Sequence, residues 1–452
     1  MKIVSVKVEE LFGHFSYNIE LNDTVTIIHG PNGCGKTTLL KIIYSVFSNN
    51  PQELKQYDFK SIEFQFSDGT NLYIEKKKKK LPGYHKSENT IVYLAYTIIA
   101  NEKRTVIDSF ENSHEHSKII SEFIHSYGFK RFGFIDRLPD GEMWYDRREG
   151  ETLTTDELVN KYGPFIYERY GKELSGGSVP EQVKILIDKL DVRLINADRL
   201  TVHKQIERHY GEDQTQIEHK VNIIAENVAK KIREAIQRYA QISQAKDRTF
   251  PIRAIKQEKL MSVSEIKEKM IELETKRKEF IETGILEEDK DDIDIHELVE
   301  SVTENNRQNL SLYAIDTEEK LNALSGISSL INMFRKLIDN SFLNKHIVFG
   351  KEDGFHFKTT YSDTIIKPQN LSSGEQHELV MLYDLIFNTS SNTLMLIDEP
   401  ELSLHIKWQI EYVDNLLSII KHTGFSAILA THSPQIIHDK WNLTVSLSEH
   451  AS

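Results

Sequence analysis

The eight residues Gly30-Pro-Asn-Gly-Cys-Gly-Lys36-Thr37 constrain this chain more than any other stretch. They follow the apolar run Val25 to His29 and precede the helical pattern Leu39 to Phe47, so a strand enters the glycines and a helix leaves them. In that setting the pattern GxxxxGK[ST] reads as a phosphate-binding loop. Its glycines let successive backbone N–H groups face phosphate oxygens, and the helix N-terminus adds its positive dipole end. Lys36 brings the fixed charge for β- and γ-phosphates, and Thr37 a hydroxyl for Mg²⁺. The candidate nucleotide ligands are therefore Asn32, Gly33, Cys34, Gly35, Lys36, Thr37 and Thr38, with Cys34 serving through its backbone alone.

Composition narrows the rest. The 452 residues carry 56 Lys plus Arg against 69 Asp plus Glu, a formal charge of −13, which argues against coating nucleic acid through bulk positive charge. A DNA contact, if made, is local. The single cysteine, Cys34, excludes an internal disulfide framework and a zinc finger. No stretch approaches the roughly 18 uninterrupted apolar residues of a membrane span, and the opening lacks a secretory signal pattern, so a cytoplasmic, non-membrane protein is expected.

Along the chain, Ser61 to Phe66 and Asn71 to Glu75 flank Asp68-Gly69 as a hairpin, and the second strand runs into five lysines, Lys76 to Lys80. From about Ser87 to Leu190 the pattern supports little beyond a second hairpin at Asp140-Gly141. Ile217, Val221, Ile224, Val228, Ile232 and Ala235 then step by threes and fours, as do Ile266, Met270 and Leu273. This predicts an antiparallel helical hairpin, broken at Phe250-Pro251 and across the acidic stretch Leu286 to Asp294, with a third helical block at Leu321 to Ile338. Strands near Ile347 to Phe357 lead to a tail reading helix, strand, helix, strand.

Leu394-Met-Leu-Ile-Asp398-Glu399 is an apolar strand ending in two carboxylates. Such an end faces the ligand crevice of a parallel sheet, where Asp398 would hold Mg²⁺ and Glu399 would orient or deprotonate the attacking water. Paired acids of this kind are often no more than a solvated helix cap, but here the same chain carries a phosphate loop that lacks this partner. Leu371-Ser-Ser-Gly-Glu-Gln376 opens a helix at a distance that leaves room for that helix and a short turn before the acidic strand.

With these motifs the sequence resembles the ABC-type ATPase heads of the SMC, RecF and OLD kind, whose signature LSGG[QE] stands at this place. The resemblance implies an α/β fold: an ABC-ATPase head (P-loop NTPase, mixed sheet) with an inserted helical coiled-coil hairpin. Its expected parts are residues 1–200 and 341–452 for the head, the first with an inserted α/β segment, and 201–340 for the helical insertion. It makes Ser372 the serine that reaches a γ-phosphate across a dimer and Gly374 the second signature glycine, with Ser373 departing from the first. His432, in Leu429-Ala-Thr-His-Ser433, becomes the switch histidine, and Glu401 and His405 lie in the loop that crosses to a neighbouring subunit. The Q-loop glutamine has no clear counterpart, Gln65 being the candidate. Arg199 reads equally as an approach to the nucleotide and as a surface arginine after a strand. Leu174-Ser-Gly-Gly-Ser178 spells the signature more faithfully, but it precedes the helical insertion and reads as a Gly/Ser loop. The lysine run reads as a solvated hairpin end before a phosphate-backbone contact, and Leu286 to Asp294 as an exposed acidic turn.

Longer texts, among them Ala240 to Ile255, Asp398 to Gln409 and Ala430 to Leu447, resemble stand-alone ATPases of bacterial anti-phage systems, first the AriA type of PARIS and next the PtuA type of Septu. That resemblance implies an ATP- and Mg²⁺-using homo-oligomer, at least a dimer, that senses a phage-encoded trigger protein and controls a separate nuclease of TOPRIM or HNH type. The alternative is a DNA repair or recombination ATPase of RecF or SMC type. Against it stand the short insertion and the lone cysteine, which cannot form a CxxC zinc hook. An OLD-type nuclease would need a TOPRIM domain after the head, and the chain ends soon after His432.

Overall fold

The computed structural model describes residues 1–81, 89–100, 103–108, 121, 124, 133–139, 143–159, 161–162, 179–196, 200–206, 214–256, 260–288, 295–402 and 404–447. They fall into two compact units, one of Met1–Asn196, Ser390–Pro400 and Gly424–Ser452, the other of Ala197–Thr389 and Glu401–Thr423.

The first unit carries β1 (Ile3–Leu11), β2 (Phe15–Glu20), β3 (Val25–His29), α1 (Lys36–Phe47), α2 (Pro51–Gln56), β4 (Ser61–Phe66), β5 (Asn71–Leu81), β6 (Asn89–Ala100) and β7 (Lys103–Asp108). After these come β8 (Ile135–Arg137), β9 (Met143–Asp146), β10 (Glu151–Thr154), α3 (Glu181–Ile187) and β11 (Asp191–Ile195). The second unit carries β12 (Thr201–Ile206), β13 (Gln214–His219), α4 (Lys220–Lys256), α5 (Val263–Glu282), α6 (Ile295–Glu300), α7 (Arg307–Ser341), β14 (Lys345–Gly350), β15 (Gly354–Thr359), β16 (Ile365–Ile366), α8 (Ser373–Phe387) and, past β17 (Thr393–Asp398), α9 (Ile406–Thr423). The strand β17 itself, β18 (Ser426–Thr431), α10 (Pro434–Ile437) and β19 (Thr444–Ser446) return to the first unit.

The first unit is built on a five-stranded sheet in the order β11-β17-β18-β3-β19, every pair parallel. Every residue of β17 is buried, which explains its unbroken apolar text, because a parallel strand covered on both faces needs no polar alternation. The helix α1 lies on β11, β17 and β18, and its Leu39, Leu40, Ile42 and Ile43 are fully buried. The same core takes in Val6, Val8 and Phe64 from a six-stranded antiparallel sheet ordered β2-β1-β4-β5-β6-β7. A smaller sheet, β10-β9-β8, packs around Trp144 and Tyr162.

The Asp68-Gly69 hairpin is present, and β8 pairs with β9 across the second expected turn, whose tip lies outside the described residues. The lysine run forms the far part of a strand pair. It continues β5, which pairs with β6 as far as Leu81, and Lys76 is half-buried with its ammonium on the Tyr57 carbonyl.

In the second unit α4 and α5 both pack against α7, which stands between the two expected arms of the hairpin. Ile217 belongs to β13 rather than to the helix that follows it. Nor does Pro251 end α4, which runs on to Lys256. Proline removes one helical N–H, and side chains take up carbonyls on the turn before it. Thr249 Oγ1 donates to Ala245 O at 2.9 Å, and Arg253 Nη2 donates to Lys246 O at 2.9 Å. Gly354, at φ 75°, opens β15 so close to α4 that a Cβ there would stand 1.8 Å from Ala225 O. Among the described residues no helix is long and apolar enough to cross a membrane.

Candidate functional site

Parallel register brings the C-terminal ends of three strands together. Asp398 pairs with Ala430, and Ala430 with Ile28, so the loops that leave β17, β18 and β3 begin along one edge of the sheet. The glycine loop Gly30–Gly35, the pair Asp398 and Glu399, and His432 are those loops.

The loop conformation is set by glycines and by its neighbours. Gly35 has φ 92°, and a Cβ there would lie 2.7 Å from Leu11 Cδ2 and 3.2 Å from the Phe12 ring, so the end of β1 presses directly on the loop. Tyr17, on β2, donates from its hydroxyl to Cys34 O at 2.9 Å, and burial pushes that phenol up to about 12. Sequence reading missed this brace. Its only signal is the alternation of Tyr17 and Ile19 on the buried face of β2. Cys34 is buried beneath the loop, with its sulfur 4.0 Å from the Lys36 ammonium.

Lys36 is itself buried, and its ammonium donates to Gly30 O at 2.9 Å and Pro31 O at 3.1 Å. The next residue makes the decisive contact. Thr37 Oγ1, at the start of α1, donates to Asp398 Oδ1, at the end of β17, over 2.9 Å. Asp398 is 5% exposed, so its carboxylate depends on such partners.

Glu399 occupies the left-handed region at φ 45°, a conformation that non-glycine residues adopt at a cost and that clusters at functional sites. Its N–H donates to Ala430 O at 2.9 Å, which ties this turn to β18. The carboxylate stands 3.7 Å from His432 Nδ1, and both side chains are partly exposed. Thr431 Oγ1 accepts from Ser433 N at 2.9 Å and closes the turn that carries the histidine.

The signature segment lies in the second unit. Ser372 caps α8 in a capping box, its N–H donating to Glu375 Oε2 at 2.9 Å and its hydroxyl to the same oxygen at 2.8 Å. Burial opposes the charge on Glu375, yet the Lys345 ammonium and the Ser372 donors together hold its carboxyl below the usual range. Ser373 and Gly374 form the first turn of that helix. Glu401 is buried, and His405 is exposed with its Nδ1 accepting from Lys407 N at 3.3 Å. Gln65 accepts from Ser5 Oγ at 3.2 Å in the body of the antiparallel sheet, and among the described residues no hydrogen bond joins it to the glycine loop. Arg199 and Leu174-Ser178 lie outside the described residues, as does most of the acidic stretch, of which Glu287 pairs with Lys351.

A parallel sheet whose first central strand feeds a glycine loop into a helix is the P-loop NTPase-like fold. The AAA ATPase domain family designated AAA_15 matches residues 1–437, and the chain belongs to it. The chain is similar to the SMC head domain with an extended coiled coil bound to the C-terminal domain of ScpA from Pyrococcus furiosus, at 11% identity and a TM-score of 0.34, over 96% of this chain and 90% of that one. It is similar also to the SMC head domain from Thermotoga maritima, at 10% identity and 0.31, over 97% and 91%. No curated protein matches it.

Proposed function

We propose that this ATPase binds and hydrolyses ATP with Mg²⁺, as the sensor and control subunit of a bacterial anti-phage system that acts through a separate nuclease. The observation that carries the chemistry is the 2.9 Å contact between Thr37 Oγ1 and Asp398 Oδ1. A hydroxyl and a carboxylate meeting beside the glycine loop form the hard oxygen set that suits Mg²⁺. When bound, Mg²⁺ neutralises charge on the phosphate oxygens.

The protein's own groups do the rest. Backbone N–H groups of Asn32 to Thr38 and the N-terminus of α1 bind the phosphates. The Lys36 ammonium, which is held by two loop carbonyls, turns to the β- and γ-phosphate oxygens. Glu399 orients the attacking water and accepts its proton, and His432, beside Glu399, senses the γ-phosphate end. Ser372 and Gly374 of a second copy complete the site, so the working unit is at least a dimer.

The control role rests on the resemblance to the AriA and PtuA types, whose nuclease is of TOPRIM or HNH type and whose trigger is a phage protein. A contact with DNA in this reading is local. The test is phage plating on cells that carry the chain with its neighbouring genes. Protection is expected with the wild type and none with Lys36→Ala. Cells that plate phage equally but become sensitive to DNA damage without the chain would instead favour the repair reading.

A further inference from the structure

The second unit holds a polar trough that the ATPase reading does not use. Helices α5, α7 and α9 enclose about 550 Å³, within the roughly 300–1,000 Å³ of small-molecule sites. The floor is a single face of α7, where Ser325, Ser328, Ser329, Asn332 and Lys336 recur at helical spacing. Its apolar stripe, Leu324, Ile331, Phe334 and Ile338, is buried elsewhere. Met333 and Leu337 of the same helix and Phe280 of α5 add an apolar part to the lining.

The polar groups of this trough are poorly matched by the protein. Ser328 is 3% exposed and lines the trough. Its short hydroxyl can donate to a ligand there. Lys336 makes no ion pair among the described residues, and Lys276 donates to the neutral Asn322 Oδ1 at 2.7 Å rather than to a carboxylate. From the facing wall His422 Nε2 meets Ser329 Oγ at 2.7 Å. Among the described residues Glu279 is the one carboxylate of the lining, against two ammonium groups and an imidazole.

We propose that this trough binds a small phosphate-bearing anion of nucleotide size, held by Lys276 and Lys336 with hydroxyl donors from Ser328 and Ser329. Compact ammonium charges and short hydroxyls suit tetrahedral oxyanions, and the volume admits more than inorganic phosphate. The site is made wholly from the second unit, so it stands whether or not the reading of the glycine loop is right.

The experiment is calorimetric titration of full-length Lys36→Ala protein with inorganic pyrophosphate, AMP and adenosine in parallel. Saturable binding of pyrophosphate or AMP, weakened at least tenfold by Lys336→Glu and about fivefold by Ser328→Ala, is the expected result. Tighter AMP than pyrophosphate identifies a nucleotide ligand, and the reverse identifies free phosphates. Circular dichroism melts show whether each variant is folded, and Lys276→Gln replaces any that is not. No saturable binding at millimolar concentrations, adenosine binding as well as AMP, or affinity unmoved by the lysine changes would overturn the proposal.

Discussion

Replacing Glu378 by Gln should change how the stability of the second unit depends on pH. Glu378 lies on α8, 5% exposed, with one carboxyl oxygen accepting from Ser341 Oγ at 2.8 Å and the other, among the described residues, without a hydrogen-bond partner. Beside it is a cavity of about 10 Å³ lined by Leu382, Leu385, Trp408 and Tyr412, among others, too small for more than one water. Burial raises the carboxyl from 4.5 to about 7, opposed by the Ser341 hydrogen bond and assisted by the charges of Glu411 and Glu375. The folded state thus favours the neutral acid. Its contribution is fully present below pH 4.5, fades as pH rises, and is lost above about 7. At about 1.4 kcal/mol per pH unit, that displacement amounts to roughly 3 kcal/mol. Gln keeps the acceptor for Ser341 and does not titrate, so its unsatisfied N–H₂ adds only a pH-independent offset of about 1–3 kcal/mol. Urea unfolding followed by circular dichroism should show wild type losing roughly 3 kcal/mol relative to Glu378→Gln between pH 4.5 and about pH 8. A constant difference over that range would refute the reasoning.

Other outcomes follow from single contacts. Thr37→Ala removes the donor hydroxyl and Asp398→Asn the carboxylate charge, and each should raise the Mg²⁺ concentration needed for half-maximal ATP hydrolysis, read by phosphate release, by at least about tenfold. Gly35→Ala forces a Cβ toward Leu11 at φ 92°, and should cost about 1–2 kcal/mol in thermal stability and weaken nucleotide binding measured by fluorescent-analogue titration. Arg253→Ala strips Asp316, 4% exposed, of a bidentate partner and leaves Lys246 at 3.7 Å. A loss of about 3 kcal/mol in denaturant unfolding is expected.

The parts of this chain that were legible in its sequence are those where geometry and chemistry demand particular residue types at fixed spacing. The glycine loop, the strand ending in Asp398 and the strand before His432 each announce themselves, and the sheet order then brings them to one edge. The Thr37–Asp398 contact spans 361 positions and was readable only because each half belongs to a recognisable motif. Where side chains override local propensity, sequence reading failed. Pro251 reads as a helix end, but it costs α4 only its own N–H, and Thr249 and Arg253 donate to Ala245 O and Lys246 O on the turn before it. The lysine run reads as a solvated hairpin end; lysine is depleted in strands, so nothing in it showed that β5 stays paired with β6 over its whole length. Ile217 fits helical spacing by coincidence, one short step before α4 begins. The partners of β6 and β7 had no signal, since antiparallel neighbours are chosen by register that only the fold reveals.

The central claim is that Glu399 acts on the water that attacks ATP. The direct measurement is ATP binding and single-turnover phosphate release in the same preparation of wild type and Glu399→Gln. The account predicts binding within about threefold of wild type and release slowed by roughly a hundredfold or more, the usual range for a lost general base. Release at the wild-type rate with normal binding would contradict it, because a residue held at φ 45° beside His432 would then have no part in the chemistry.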